Sequence, residues 1–135
     1  MKLFGPRGRP LERHEQHLPE QVPVDAYGNG GFRFGGMSHR GSILIVPSGV
    51  HGWAAITPMD ITVDSLAQVF EEAGGIDMLL IGSGRDLVPA RRAVAEALRA
   101  HDIKHEAMST GAAVRLLDVM LGERRKFAAA LLAVD

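Results

Sequence analysis

The rhythm of hydrophobic and polar positions changes twice along this chain. Up to Pro23 no period is sustained. Pro6, Pro10, Pro19 and Pro23 interrupt polar and charged residues, and proline breaks helix and sheet alike. Residues 1–22 therefore read as a flexible polar leader, followed by a single domain over 23–135. From Val24 to Trp53 the pattern is one of short strands separated by glycine. Val24–Tyr27 leads into Gly28-Asn-Gly-Gly31, a hairpin turn of residues that tolerate positive φ. Phe32 and Phe34 alternate with Arg33, giving one buried and one wet face, and Gly35-Gly36 breaks the run. Ser42-Ile-Leu-Ile-Val46 is a further strand, ended by Pro47, and Val50–Ala55 is a short strand or an irregular segment.

From Asp60 onward helix and strand alternate. Leu66, Val69, Phe70 and Ala73 recur at i, i+3, i+4, i+7, one face of a helix, with Thr62 as its N-cap and Gly74-Gly75 as its end. Met78–Ile81 is a continuous apolar run, as in a strand covered on both faces. Pro89–Ala100 predicts a helix with proline at its first position and Val94 and Leu98 turned inward. Lys104–Met108 is a strand. Thr110 caps a helix with Ala113, Leu116, Leu117, Met120 and Leu121 inside and Gly122 as C-cap. Phe127–Val134 is a final apolar strand. Such alternation with short connections predicts parallel pairing. The expected fold is therefore three-layer α/β: an N-terminal antiparallel β region plus a mixed, largely parallel sheet flanked by helices.

Composition narrows the class. The chain has 135 residues, 46% of them hydrophobic and 5% aromatic, and a net charge of -1. That suits one globular domain with a small-aliphatic core, and it shows no overall nucleic-acid footprint. Cysteine is absent, which removes disulfides, thiolate nucleophiles and Cys-based metal sites and fits a cytoplasmic location. No apolar run reaches the roughly 18 residues of a membrane span.

Candidate chemistry gathers at two strand-to-helix junctions. Gly82, Ser83 and Gly84 could offer backbone N–H groups to an anion, with Arg85 as a charged partner, or they could simply form a tight turn. The pattern is not Gly-x-Gly-x-x-Gly, because Leu87 takes the last position. Ser109 and Thr110 would lie beside this turn if their strands are neighbours, as pocket hydroxyls or as a helix cap. A hydrolytic arrangement would need Ser83 near His39, His51 or His105, but Gly-x-Ser-x-Gly is absent, and His39 and His51 fall in expected loops. The His14/His17 pair, in a proline-rich arm, reads as solvated. Trp53 is either a core anchor or part of a partner surface. No catalytic residue, metal ligand or cofactor is assigned.

The order of Gly31-Phe-Arg-Phe34, Gly41-Ser-Ile-Leu-Ile-Val-Pro47, Trp53, Leu79-Leu-Ile-Gly-Ser-Gly84, Met108-Ser-Thr-Gly-Ala-Ala113 and Lys126-Phe-Ala-Ala-Ala-Leu-Leu132 resembles a known family. It is the small α/β family of mitochondrial complex I assembly factor 3 and its bacterial and archaeal relatives. The resemblance runs from about Val22 to the C-terminus. It implies a three-layer α/β domain and an assembly or scaffold role connected with the respiratory NADH dehydrogenase. Family members commonly carry an acidic residue where this chain has Ser109, and an aromatic–Asn pair where it has Leu117 and Asp118. Two readings follow. One is a non-enzymatic binding or assembly-factor domain with protein partners. The other is a small-ligand or anion-binding protein, or a weak enzyme, using the sheet end near Ser83 and Ser109. A scaffold should expose an apolar patch; a ligand protein should enclose a pocket at the Gly82–Gly84 turn.

Overall fold

The computed structural model describes residues 16–135. Nine strands are found there: β1 (Gln16–Leu18), β2 (Val24–Gly28), β3 (Gly31–Phe34), β4 (Met37–Arg40), β5 (Ser42–Val46), β6 (Gly49–Trp53), β7 (Met78–Gly82), β8 (Lys104–Met108) and β9 (Phe127–Leu131). Three α-helices join them: α1 (Ala67–Glu71), α2 (Arg92–Ala100) and α3 (Thr110–Gly122). Six strands form a mixed sheet in the order β1-β6-β5-β9-β7-β8, and β2-β3-β4 form a separate antiparallel sheet. The expected three-layer α/β architecture with a mixed sheet is therefore observed, but the sheet is not largely parallel: antiparallel pairs outnumber parallel ones in it. Parallel pairing is confined to β7 with its neighbours β8 and β9. It occurs there because β7 and β8 are linked through α2, and β8 and β9 through α3.

The small sheet follows directly from its turns. Asn29 and Gly30 (φ 54° and 80°) link β2 to β3, and Gly35 and Gly36 (φ 53° and 78°) link β3 to β4. Both are two-residue connections with positive φ at both positions, the geometry that matches strand twist. Phe32 and Phe34 are buried and Arg33 is exposed, as the alternation requires. His39 lies on β4 and His51 is buried on β6, so neither is the loop residue expected; the neighbouring glycines mark hairpin ends, not a loop.

The large sheet divides the core in two. On one face, Leu44, Val46, Leu79, Ile81, Ala128 and Ala130 pack with Leu66 and Val69 of the first helical segment and with Val94 and Leu98 of α2. On the other, Ile43, Ile45, Leu80, Ala129 and Leu131 pack under Phe32 and Phe34 and under Ala113, Val114 and Leu117 of α3. Three layers result, with the period of two in each strand sorting residues between the faces.

Several boundaries shift. Part of the stretch expected to be a flexible leader is docked. Gln16–Leu18 pairs antiparallel with β6, Gln16 Nε2 donates to the Ser48 carbonyl at 2.6 Å, and Gln21 Nε2 donates to the Phe127 carbonyl at 2.9 Å. Residues 1–15 of the leader, including His14, lie outside the described residues. Thr62 does cap the first helical segment: its Oγ1 accepts from Ser65 N at 3.1 Å, while Ser65 Oγ accepts from Thr62 N at 2.9 Å. That segment is a 3₁₀ turn over Asp64–Leu66 that runs into a short α-helix, Ala67–Glu71. Helix α2 begins at Arg92 and not at Pro89, because Arg91 is extended (ψ 154°). The N-cap of α3 is Ser109 and not Thr110; its side chain accepts from Ala112 N. At the far end of α3 the left-handed residue is Arg124 (φ 59°), so Gly122 is helical and not the cap.

Candidate functional site

Strands β6, β7 and β9 run in the same direction, so the segments leaving Trp53, Gly82 and Leu131 all emerge at one end of the sheet. The structure brings Gly82, Ser83, Gly84, Ser109 and Thr110 together there, as the sequence suggested, but as a closed junction. Thr110 is fully buried; its Oγ1 donates to the Leu132 carbonyl at 2.7 Å and accepts from Gly84 N at 3.0 Å. Thr110 N in turn donates to the Gly84 carbonyl at 2.8 Å, and Leu132 N to the Gly82 carbonyl at 2.9 Å. A Cβ on Gly82 would lie 3.0 Å from both Leu131 Cδ2 and Thr110 Cα. Glycine there allows the strand and the helix start to touch. Gly84 has φ +103°, which favours glycine for a different reason, the left-handed backbone.

Ser83 is buried, and its hydroxyl serves the loop that follows. It donates to the Asp86 carbonyl at 2.6 Å, with the Met108 carbonyl at 3.1 Å, and accepts from Val88 N at 2.8 Å. Ser83 N donates to the Met108 carbonyl at 2.8 Å. The N–H groups of Ser83 and Gly84 are therefore bonded inside the protein and give an anion no cradle. Arg85 stands exposed in the loop. The loop from Ser83 to Arg91 separates the turn from α2, so the helix N-terminus does not adjoin the glycines either. Trp53, offered by sequence as a partner surface or a core anchor, is the anchor. Its ring belongs to the core and its N–H donates to the Ser65 carbonyl at 2.8 Å.

Above this junction the same sheet end is apolar and open. Ile56 is 77% exposed, Met59 71% and Leu87 59%, with Val63 and Val88 also exposed. Ile56, Met59 and Val63 lie in the loop after β6, and Leu87 and Val88 in the loop after β7. The two loops are neighbours: buried Ala55 and Ile61 share a core cluster with Ala90, and the Arg91 charge reaches Asp60. The first loop is stiff. Asp60 Oδ2 accepts from the N–H groups of Ile56 and Thr57, both at 2.9 Å, and those bonds hold its carboxyl below the usual range. Single exposed apolar residues are ordinary; these five lie on two loops at one end of the sheet. The signal in the sequence was the placing of Ile56, Met59 and Leu87 off every helical or strand period.

Two polar clusters were not legible from spacing. At the β5–β6 hairpin, Ser48 Oγ lies 2.8 Å from His51 Nε2 and donates to Glu72 Oε2 at 2.7 Å; Ser48 N and Gln68 Nε2 also donate to Glu72. Burial would raise the Glu72 carboxyl, but the bonds from Gln68 and Ser48, with His51 nearby, outweigh it and lower its pKa. The serine proton faces the carboxylate and the histidine stands outside that pair. This is a latch between hairpin and helix, not the relay of a hydrolase, in which histidine lies between the two. On the other side of β1, His17 Nε2 and His39 Nδ1 lie 2.8 Å apart. His51 and His39 are thus engaged at these clusters, while backbone groups hold Ser83. Among the described residues no group of three His, Asp or Glu is placed to hold a metal, and no helix is long and apolar enough to cross a membrane.

A family model described as a protein of unknown function (DUF498/DUF598) matches residues 24–132. The chain belongs to the DUF498/DUF598 family. An uncharacterised protein of Rhodobacter capsulatus is 37% identical over 111 residues, 82% of this chain and 84% of that protein. A structure from Bartonella henselae, described as an outer membrane protein, superposes with a TM-score of 0.86 at 46% identity, covering 88% of this chain and 100% of that one. The rat NADH dehydrogenase [ubiquinone] 1 alpha subcomplex assembly factor 3 is 25% identical over 118 residues, 87% of this chain but 64% of the rat protein. The resemblance read from the sequence therefore holds. This DUF498/DUF598 domain carries Ser109 as a helix cap and Asp118 as a half-buried acceptor for Val24 N at 3.0 Å.

Proposed function

We propose that this chain is a non-enzymatic binding domain of the assembly-factor kind, which docks a protein partner through Ile56, Met59, Val63, Leu87 and Val88. The observation that carries the reading is their exposure on two loops held from beneath by a hydrogen-bonded junction. Such a surface needs little ordering on binding, so the apolar burial is not offset by loop entropy. The distant similarity to an assembly factor for NADH dehydrogenase supports a partner among respiratory-complex subunits or their assembly intermediates, met from the cytoplasmic side. The closed junction at Ser83 and Thr110 argues against the ligand-binding reading at that place.

The test is affinity capture from the native host with wild type and an Ile56→Ser/Leu87→Ser double variant. Wild type is expected to retain NADH dehydrogenase subunits or precursors, and the variant to lose them while its melting curve stays within a few degrees. Equal capture by both proteins would overturn the assignment of the surface. Capture of no respiratory protein by wild type would overturn the assignment of the partner.

A further inference from the structure

A second surface lies on the outer side of the three-stranded sheet. Its outward positions follow from the register. Arg33 pairs with Ser38 and with Ala26, and Gly31 pairs with Arg40 and with Gly28. Across the three strands the face therefore reads Ala26, Arg33, Ser38 in one row and Gly28, Gly31, Arg40 in the next. The middle is bare. A Cβ on Gly31 would run into the His39 carbonyl, so no side chain can fill it. The two arginines rise on either side, as diagonal neighbours on adjacent strands. Between them is an open hollow of 470 Å³ lined also by Asn29 and Ser38. That volume is in the range of small-molecule sites.

The electrostatics of this hollow are unbalanced. Among the described residues neither Arg33 nor Arg40 has an acidic partner within 4 Å; the ion pair formed is Arg125–Glu123. Asp25, the nearest acidic residue in sequence, acts on Asp118 of α3, on the helix side of the sheet. Like charges at diagonal positions on a sheet disfavour each other unless an anion lies between them. The frame is rigid. Gly30 N donates to the Val134 carbonyl at 2.8 Å and Gly41 N to the Gly30 carbonyl at 2.7 Å. The Arg40 guanidinium lies over this turn, with Nη1 3.8 Å from the place of a Gly30 Cβ. Two arginines lining one hollow are suited to oxyanions, which planar guanidiniums grip in pairs of parallel bonds.

We propose that the hollow between Arg33 and Arg40 binds a small dianion, a phosphate or a dicarboxylate, with Ser38 and Asn29 as supplementary donors. The site is separate from the apolar loops and does not depend on their role.

The experiment is an NMR titration of the full chain with inorganic phosphate and, in a second arm, succinate, both at constant ionic strength set with sodium chloride. Either anion is expected to shift resonances confined to Gly28–Arg40, saturating near about 10 mM or below. Arg33→Ala and Arg40→Ala should each weaken binding about tenfold, whereas Arg92→Ala, on α2, should not. Both arginines are exposed, so the buried Phe32 and Phe34 resonances report whether each variant remains folded. The arm that saturates first identifies the source of the charge. Shifts scattered over the surface, shifts reproduced by chloride, or binding undiminished in the Arg33→Ala/Arg40→Ala double variant would overturn the proposal.

Discussion

The two faces of the large sheet are covered in different ways. On one, a small sheet and the 13-residue α3 lie over the strands; the outer face of the small sheet carries arginine, serine and glycine, and the exposed apolar side chains are Tyr27 and Val119, on separate elements. On the other, two short helical segments and their loops do the covering, and apolar side chains are left in the open at one end. Both faces bury comparable aliphatic residues from the same strands, so the difference does not come from the sheet. It comes from the covering layer. A face sealed by paired strands can present charge outward, whereas a face sealed by loops displays whatever side chains those loops carry.

The comparison can be broken most forcefully in the core. Phe34→Ala, under the small sheet, should cost about 3–5 kcal/mol, and Leu98→Ala, under α2, about 2–5 kcal/mol. Denaturant melts of both variants measure the asymmetry. A larger loss for Leu98→Ala would mean that the loop-covered face is the more tightly packed one. Next in size is Thr110→Val, which keeps the volume but strips the buried hydroxyl from Leu132 and Gly84. The orphaned groups should cost about 1–3 kcal/mol, read by the same melts. A neutral result would show that water replaces the hydroxyl at the junction.

The smallest expected effect is a gain. Burial holds the Asp118 carboxyl above its ordinary pKa, against the Val24 N–H bond that lowers it, and Asp25 adds to the rise. A carboxyl that holds its proton more tightly when folded opposes folding once it is ionised. The penalty is full above the folded pKa and disappears as pH falls below the unfolded value of 3.8. Asp118→Asn keeps an oxygen for Val24 N and removes the charge. It should stabilise by about 0.5 kcal/mol at pH 7, an amount reduced by solvent screening of a half-buried group, and the advantage should vanish near pH 3. Melting curves of both proteins across that range decide it; an advantage independent of pH would rule out the charge as its cause.

What could be read from the sequence depended on how local the physics was. The Asn29-Gly30 and Gly35-Gly36 turns, the alternation of Phe32 and Phe34, and the apolar runs of β5, β7 and β9 carry their structure within a few residues. Strand β1 does not. Three residues with no buried side chain become a strand only because β6 offers an edge, and the same holds for the pairing of His17 with His39. Pro89 suits a first helical position, but the Ser83 hydroxyl ties the loop at Asp86 and Val88 and Arg91 is extended, so α2 starts at Arg92. At α3 a one-residue shift exchanges the roles of two hydroxyl residues. Ser109 caps, and Thr110 turns into the core to meet Leu132, a carbonyl 22 positions away. The Gly82–Gly84 turn was the least legible: its neighbours in space could be inferred, yet whether its N–H groups were free depended on these distant acceptors.

The strand order has a consequence in time. In the order β1-β6-β5-β9-β7-β8, the strand made after all the others lies between them, and among the described residues it alone joins the two halves of the sheet. While the ribosome is still producing residues 127–131, β5 and β7 each show an unpaired edge of continuous aliphatic residues. Such edges invite pairing with foreign strands, and closing them requires contacts between residues far apart in the chain, which are slow to form. The vulnerable interval for this fold is therefore the one after β5 and β7 are made and before β9 is, and a chaperone that shields the edges of β5 and β7 would act within it.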